Sequence, residues 1–296
     1  MRDVKGKVAF ITGGGSGIGF GMARAFLQAG LRVVMADASQ ANLDDAGRQL
    51  RGAPGEFRFV RLDVTDRAAF ARVADEVERD VGPVDVLCNN AGTGTSPSAR
   101  IATYADWDRM MGINLGGVIN GVVTFLPRLI ARGQGGHIVN TSSMAGIIPL
   151  PDPGTIYTAS KFAVRGLSES LRLTLAQDRI GVSVLCPGLT LTRILDEARK
   201  AMAESGGDEI SSGFVKAQKY AMDPLVVGGA VLDAIRRNQL YVLPHAEFVD
   251  EVKGLHQEII EAFRSDLPMH PERAAFEHSR WHYIDSIKAG LRDAAT

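Results

Sequence analysis

Cysteine is almost absent from this chain, with Cys88 and Cys186 the only two among 296 residues. Each ends an apolar run, Val-Asp-Val-Leu-Cys and Val-Ser-Val-Leu-Cys, and neither stands beside a histidine or in a Cys-x-x-Cys spacing. That excludes a disulfide framework and a dithiol redox pair, and leaves two buried thiols suited to a reducing compartment. An excess of one charge is missing as well. With 33 basic and 34 acidic residues spread along the length, no basic stripe is available to neutralise a phosphate backbone, so nucleic acid is not an expected partner. No stretch approaches the roughly 18 consecutive apolar residues of a membrane span. The opening Met-Arg-Asp-Val-Lys-Gly-Lys passes straight into the first apolar segment without an apolar leader. A cytoplasmic protein with no membrane partner is expected. Repeats, low-complexity tracts and linkers are absent too. His278 and His282 have the spacing of a helical metal chelate but no third ligand or His-Glu-x-x-His pattern, so no metal site is expected.

What is present is a regular alternation. Short apolar, β-branched runs at 8–11, 32–36, 57–62, 84–88, 137–141, 182–186 and 240–243 are separated by longer amphipathic stretches. Near-continuous apolar runs describe strands buried on both faces, as crossover helices on each side of a parallel sheet produce. The expectation is an α/β protein with a doubly wound, seven-stranded, Rossmann-like parallel sheet over residues 1–245. A C-terminal helical extension, 246–296, carries two stripes: Phe248, Val252, Leu255, Ile259 and Phe263, then Phe276, Tyr283, Ile287 and Leu291. The least regular stretch, 190–222, with Gly206-Gly207 and Ser211-Ser212-Gly213, has the character of a lid over a site at the sheet's carboxyl edge.

The first run leads into Thr12-Gly-Gly-Gly-Ser-Gly-Ile-Gly, which puts Gly13, Ser16, Gly17, Ile18 and Gly19 at the start of a helical pattern. Backbone amides at such a helix start hold a diphosphate. Asp37 ends the second run eighteen residues after Gly19, where a carboxylate accepts hydrogen bonds from adenosine ribose hydroxyls and repels a 2′-phosphate. Neither Ser16 nor Ala38 is basic. NAD is therefore expected over NADP. Farther along, Tyr157 and Lys161 lie four apart and share a helix face, so the ammonium is expected to favour the ionised phenol and let it exchange a proton near neutrality.

These features occur in order with Asp63-Val64 after the third run, Asn89-Asn90-Ala91-Gly92 after the fourth, Asn114, Ser143, and Pro187-Gly188 followed by Thr192. The set resembles the short-chain dehydrogenase/reductase family over residues 1 to about 245. The resemblance implies hydride transfer between a nicotinamide and a secondary alcohol, with Tyr157 as base or acid, Lys161 gripping the nicotinamide ribose and Ser143 bonding the substrate oxygen. It further implies that Asn114 completes a proton relay from Lys161, that Asp63 and Val64 meet the adenine, that Asn90 and Gly92 line the adenosine ribose, and that Thr192 holds the carboxamide beside Pro187 and Gly188. One departure stands out: fourteen residues separate Ser143 from Tyr157 where the family has thirteen, an extra residue that the loop Pro149-Leu-Pro-Asp-Pro-Gly can absorb.

The apolar side chains Met144, Ile147, Ile148, Leu150, Leu189, Ile194, Leu195 and Met202 are expected to line the substrate pocket and to suit a bulky, largely apolar alcohol or ketone. Residues 117–128 and the long tail are similar to bacterial dehydrogenases of benzylic alcohols in lignin-derived aryl ethers. An NADPH-dependent ketone reductase and a non-catalytic nucleotide sensor stay open as alternatives. The family's habit of pairing its long helices implies a homo-oligomer, a tetramer or dimer.

Overall fold

The computed structural model describes residues 1–194, 216 and 218–293. Seven strands, β1 Val8–Thr12, β2 Arg32–Asp37, β3 Phe57–Arg61, β4 Val86–Asn89, β5 Gly136–Thr141, β6 Ile180–Leu185 and β7 Tyr241–Val242, form one sheet. Its order is β3-β2-β1-β4-β5-β6-β7, and all neighbours run parallel. The chain winds outward in both directions from β1 and β4, so the carboxyl ends of these two strands flank the crevice where ligands bind in such sheets. Each expected run is a strand to within two residues. Central strands β1, β4, β5 and β6 are buried throughout, while edge strand β3 is half-exposed. That accounts for the unbroken apolar runs in the interior of the sheet.

Helices α1 Gly17–Gln28, α2 Gln40–Gln49, α3 Arg67–Asp80, α4 Tyr104–Met111, α5 Gly117–Arg132, α6 Thr155–Thr174, α7 Pro224–Arg237, α8 Val249–Glu261 and α9 Pro271–Asp293 complete the described fold. On one face, Met22 and Phe26 of α1 and Val227 and Ile235 of α7 cover Ile11, Met35 and Val139. On the other, Phe10, Phe70 and Phe125 pack with centroids 5.0 to 6.3 Å apart and join β1 to α3 and α5. Polar residues mark the starts of helices: Ser39 and Asp66 accept from the amides of Asn42 and Ala69, and Thr103 with Asp106 forms a capping box.

Between α4 and α5 the helix does not stop. It loosens into one π-helical stretch, Gly112–Gly116, and continues. Contrary to the expectation from apolar runs, Tyr104–Arg132 as a whole is long and apolar enough to cross a membrane. Its inward side chains, among them Val118, Phe125 and Leu129, are buried against α3 and α6, as those of a core helix are. The extension departs from expectation as well. Phe248 and Val252 pack beneath Met144, Ile147 and Ile148, and Leu291 is buried at the far end of α9. In between, Phe263, Phe276 and Tyr283 are exposed, so the two stripes cover the body only at their ends.

Candidate active site

Each strand of the central sheet delivers its predicted residues to the same edge. After β1, Gly13 and Gly17 take positive φ, +63° and +51°. A Cβ on Gly19 would lie 2.1 Å from the Gly13 carbonyl oxygen, so only glycine lets α1 begin so close to the loop. Ser16 caps α1 in extended backbone without a side-chain hydrogen bond to the helix, leaving the first amides of a twelve-residue helix to face the cleft. This cradle fits the diphosphate of a dinucleotide, which the positive helix end favours. Thr192 abuts it from across the cleft, its Cγ2 3.1 Å from where a Cβ on Gly17 would be.

Asp37 is buried at the end of β2. Its carboxylate accepts from the amides of Gly15 (3.2 Å) and Ser39 (3.0 Å) and from Asn42 Nδ2 (3.2 Å). The carboxylate is held rigidly by three protein donors at the edge where a ribose would lie. Arg193 reaches over from the segment after β6 and donates to Asn42 Oδ1. Asp63 is exposed and accepts from the amide and hydroxyl of Thr65, while Val64 is buried with its carbonyl held by Asn120 Nδ2 at 2.8 Å. Asn90 ties three strand ends together: its amide donates to the Thr12 carbonyl (3.1 Å), and its Oδ1 accepts from Thr141 Oγ1 (3.2 Å). Its side chain is thus committed to the protein, and only the adjoining backbone is left to meet a ribose.

On the catalytic side, Ser143 Oγ accepts from the Ala145 amide at 3.1 Å, and its hydroxyl lies close enough to the Tyr157 phenol to influence its proton. Ser142, the neighbouring serine, instead donates to the Lys161 carbonyl at 2.7 Å and serves α6. The extra residue before α6 therefore leaves Ser143 in register. Lys161 is buried, its Nζ 3.1 Å from the Thr141 carbonyl and 5.5 Å from the Tyr157 ring centroid. Burial lowers its pKa to about 8. The expected depression of the phenol is not found: burial raises the Tyr157 pKa, and the neighbouring Ser143 hydroxyl opposes that shift in part. The physical reason is the lysine's direction, toward a carbonyl at the end of β5, and its own desolvation.

Asn114 sits in the π-helical stretch, fully buried. Its Oδ1 accepts from the Thr93 amide (2.9 Å) and its Nδ2 donates to the Thr93 carbonyl and Ser160 Oγ, both at 3.0 Å. It therefore stitches the segment after β4 to α6. A Cβ on Gly92 would stand 3.2 Å from Asn114 Oδ1 and 3.5 Å from Lys161 Nζ, so the absence of a side chain at Gly92 brings these groups together. Of the expected pocket residues, Met144, Ile147 and Ile148 are almost wholly buried behind the wall. Leu150 is 46% exposed, Leu189 is half-buried, and Ile194 packs onto Gly94. Leu195 and Met202, with most of 190–222, lie outside the described residues.

Three contributors were not singled out in the sequence. Ser160 follows Tyr157 on α6 and holds Asn114. Asn120 positions Val64. Asp152 accepts from the Ala99 amide at 2.8 Å and pins the segment after β4 against the loop before α6. Only Ser160 carried a signal, its helical spacing from Tyr157; the others act through backbone groups that no motif reveals.

A diphosphate cradle and a converging serine, tyrosine and lysine at one edge of a doubly wound sheet define a nicotinamide-dependent oxidoreductase. Comparison with known proteins agrees: the family model for short chain dehydrogenases matches residues 7–203, and the chain belongs to that family. It is 37% identical over 273 residues to a C alpha-dehydrogenase of Sphingobium sp. strain SYK-6, covering 88% of each chain. The solved structure of LigO from the same strain, in apo form, is 43% identical with a TM-score of 0.77, covering 96% of this chain and 98% of that one. A short-chain dehydrogenase/reductase from Burkholderia phymatum in complex with NAD is 32% identical with a TM-score of 0.80, covering 91% and 100%.

Proposed function

We propose that this chain is an NAD-dependent dehydrogenase interconverting a bulky, largely apolar secondary alcohol and its ketone. The observation that carries this is the convergence of Ser143, Tyr157 and a buried Lys161, whose ammonium stands 5.5 Å from the Tyr157 ring centroid. When bound, the dinucleotide supplies the hydride acceptor. Gly13, Ser16, Gly17, Ile18 and Gly19 hold its diphosphate, and Asp37 meets its adenosine ribose. The Tyr157 hydroxyl takes the alcohol proton, Ser143 Oγ steadies the substrate oxygen, and Lys161 with Asn114 leads the proton away.

The exposed edges of Leu150, Leu189 and Ile194 give the substrate side an apolar character. Together with the likeness to a C alpha-dehydrogenase and to LigO, this makes aryl-substituted benzylic secondary alcohols the first class to test. A panel of such alcohols and of aliphatic and alicyclic ones, read by nicotinamide absorbance, should show turnover concentrated in the aryl class. Uniformly absent turnover with tight dinucleotide binding would refute the reading and favour a nucleotide sensor.

One observation favours the NADPH-dependent alternative, the Arg193 guanidinium at Asn42, one side chain away from Asp37. The buried carboxylate outweighs it, because it stands at the ribose itself. Replacing Asp37 by Ala and Ala38 by Arg together should swing the kcat/KM ratio toward NADP by about 100-fold, the equivalent of about 2.7 kcal/mol. An unmoved ratio would remove Asp37 from the ribose site.

Assembly is proposed as a homo-oligomer in the cytoplasm. Ile119, Val123 and Ile130 make an exposed apolar stripe on α5, with Phe162 on α6 nearby in the fold, and α8 and α9 add Phe263, Phe276 and Trp281. Patches of this extent are uncommon on monomers. Light scattering should give a multiple of the 31.7 kDa chain mass; a monomer at tens of micromolar would overturn this.

A further inference from the structure

The last ladder rung between β6 and β7 is the bond from the Cys186 amide to the Val242 carbonyl, 3.0 Å. Beyond it β7 has ended, and among the described residues no strand runs beside the turn Pro187-Gly188-Leu189. A side chain takes the strand's place. His245 is buried, accepts the Gly188 amide at Nδ1 (3.0 Å), and brings Nε2 to 3.1 Å from the Leu189 carbonyl. A carbonyl only accepts, so Nε2 carries the hydrogen and Nδ1 the lone pair, a single neutral tautomer fixed by two backbone groups. The ring also lies flat against residue 188: a Cβ there would be 3.0 Å from its Cγ and Cδ2 and 2.7 Å from Phe248 Cε2. Glycine is what allows the imidazole this close.

The turn so held is a junction. The Pro187 carbonyl accepts from the Met144 amide at 2.9 Å, next to Ser143. The Leu189 carbonyl also accepts from the Met222 amide (2.9 Å), and the Leu191 amide donates to the Met222 carbonyl (3.0 Å), which closes the root of the 190–222 excursion. Thr192, three residues past Leu189, abuts Gly17 of the diphosphate cradle. We propose that His245 is a positioning residue for the dinucleotide: its two nitrogens set the turn after β6 and, through it, the wall that closes the cofactor cleft. The inference rests on the reading of this cleft as a dinucleotide site. It assigns to the residue just before the C-terminal extension a task in cofactor binding that the glycine and tyrosine motifs do not indicate.

Three substitutions separate positioning from packing. H245F keeps ring bulk against Phe248 but makes neither bond; H245N places Oδ1 where Nδ1 stands and recovers the Gly188 bond; H245Q carries an amide toward Leu189 and not Gly188. NADH affinity is read by the fluorescence change on binding, which needs no turnover, with thermal midpoints measured alongside. The dissociation constant for H245F should rise about tenfold or more, and H245N should return to within about threefold of the parent, at midpoints that do not track the affinities. An unchanged affinity in H245F, or equal losses in H245F and H245N, would overturn the proposal. Should H245F not fold, the comparison passes to H245N and H245Q: tighter binding by H245N supports the assignment, and equal binding sinks it. Parent protein that binds NADH yet oxidises no alcohol would refute the proposed reaction and leave this inference standing; parent protein that binds neither NADH nor NADPH would end both.

Discussion

Tyr157→Phe should lower turnover by about a thousandfold or more, the range general acid–base groups supply, while NAD binds within about twofold of the parent. The substitution removes one oxygen. That oxygen lies beside Ser143, away from the diphosphate cradle and the ribose edge, so the dinucleotide loses no partner among Gly13 to Gly19 or at Asp37. Substantial residual turnover would reassign the base. The pH dependence follows from the direction of the phenol's shift. Burial raises the Tyr157 pKa, so the group is protonated at neutrality, ready to donate to a ketone and in the wrong form to accept from an alcohol. Alcohol oxidation should therefore accelerate as pH rises above neutrality, and ketone reduction should slow over the same interval. Lys161 works against this at the alkaline end. With its pKa lowered to about 8, its charge is present at pH 7 and fading by pH 9, so the phenol loses whatever help the ammonium gives as the solution turns alkaline. Oxidation rates that already fall between pH 7 and pH 8 in a folded enzyme, where the lysine keeps at least half its charge, would contradict the assignment of the phenol as base.

The parts of this site that were legible in the sequence are those fixed by local geometry. The glycine loop could be read because its backbone conformation and its closeness to α1 admit no side chain, and Tyr157 with Lys161 because a helix spacing sets one face. The strands could be read because burial on both faces leaves a continuous apolar run. What was not legible arises from long-range placement. That Lys161 donates to the Thr141 carbonyl while standing over the Tyr157 ring depends on where β5 ends against α6, a separation of twenty residues. That Asn114 binds Thr93 and Ser160 depends on a π-helical stretch whose only trace in the sequence is a cluster of glycines at 112, 116 and 117. Met144, Ile147 and Ile148 looked like pocket lining because they follow the catalytic serine, but the C-terminal extension returns Phe248 and Val252 onto them and makes them core. No local pattern reports a partner a hundred residues away.

A second large effect lies at the opposite end of the sheet. His137 begins β5, fully buried, with Nε2 2.8 Å from Ser183 Oγ. Ser183 in turn donates its hydroxyl hydrogen to the Gln239 carbonyl, so the serine oxygen accepts from a protonated Nε2. Its Nδ1 has no hydrogen-bond partner among the described residues. Burial, then the chain's amino terminus and Arg172, push the His137 pKa down from 6.5 to about 3. A group with a depressed folded-state pKa binds its proton more readily when unfolded. The stability linked to it is complete above about pH 6.5 and drains away as pH falls toward 3, at about 1.4 kcal/mol per unit. Over the two units from 6.5 to 4.5 the loss from this one residue is about 2 kcal/mol, a sizeable share of the roughly 5–15 kcal/mol typical of a folded domain. Replacing His137 with Gln keeps a donor near Ser183 and removes the titration. The variant should be less stable than the parent at pH 7.5, by about 1–2 kcal/mol for imperfect packing, and should lose about 2 kcal/mol less than the parent between pH 6.5 and 4.5. Other titrating groups are common to both proteins and cancel in the difference, so denaturant unfolding at the two pH values isolates the imidazole. Parallel losses in the two proteins would mean that His137 is protonated in the folded state and that the unpartnered Nδ1 is accessible to a proton after all.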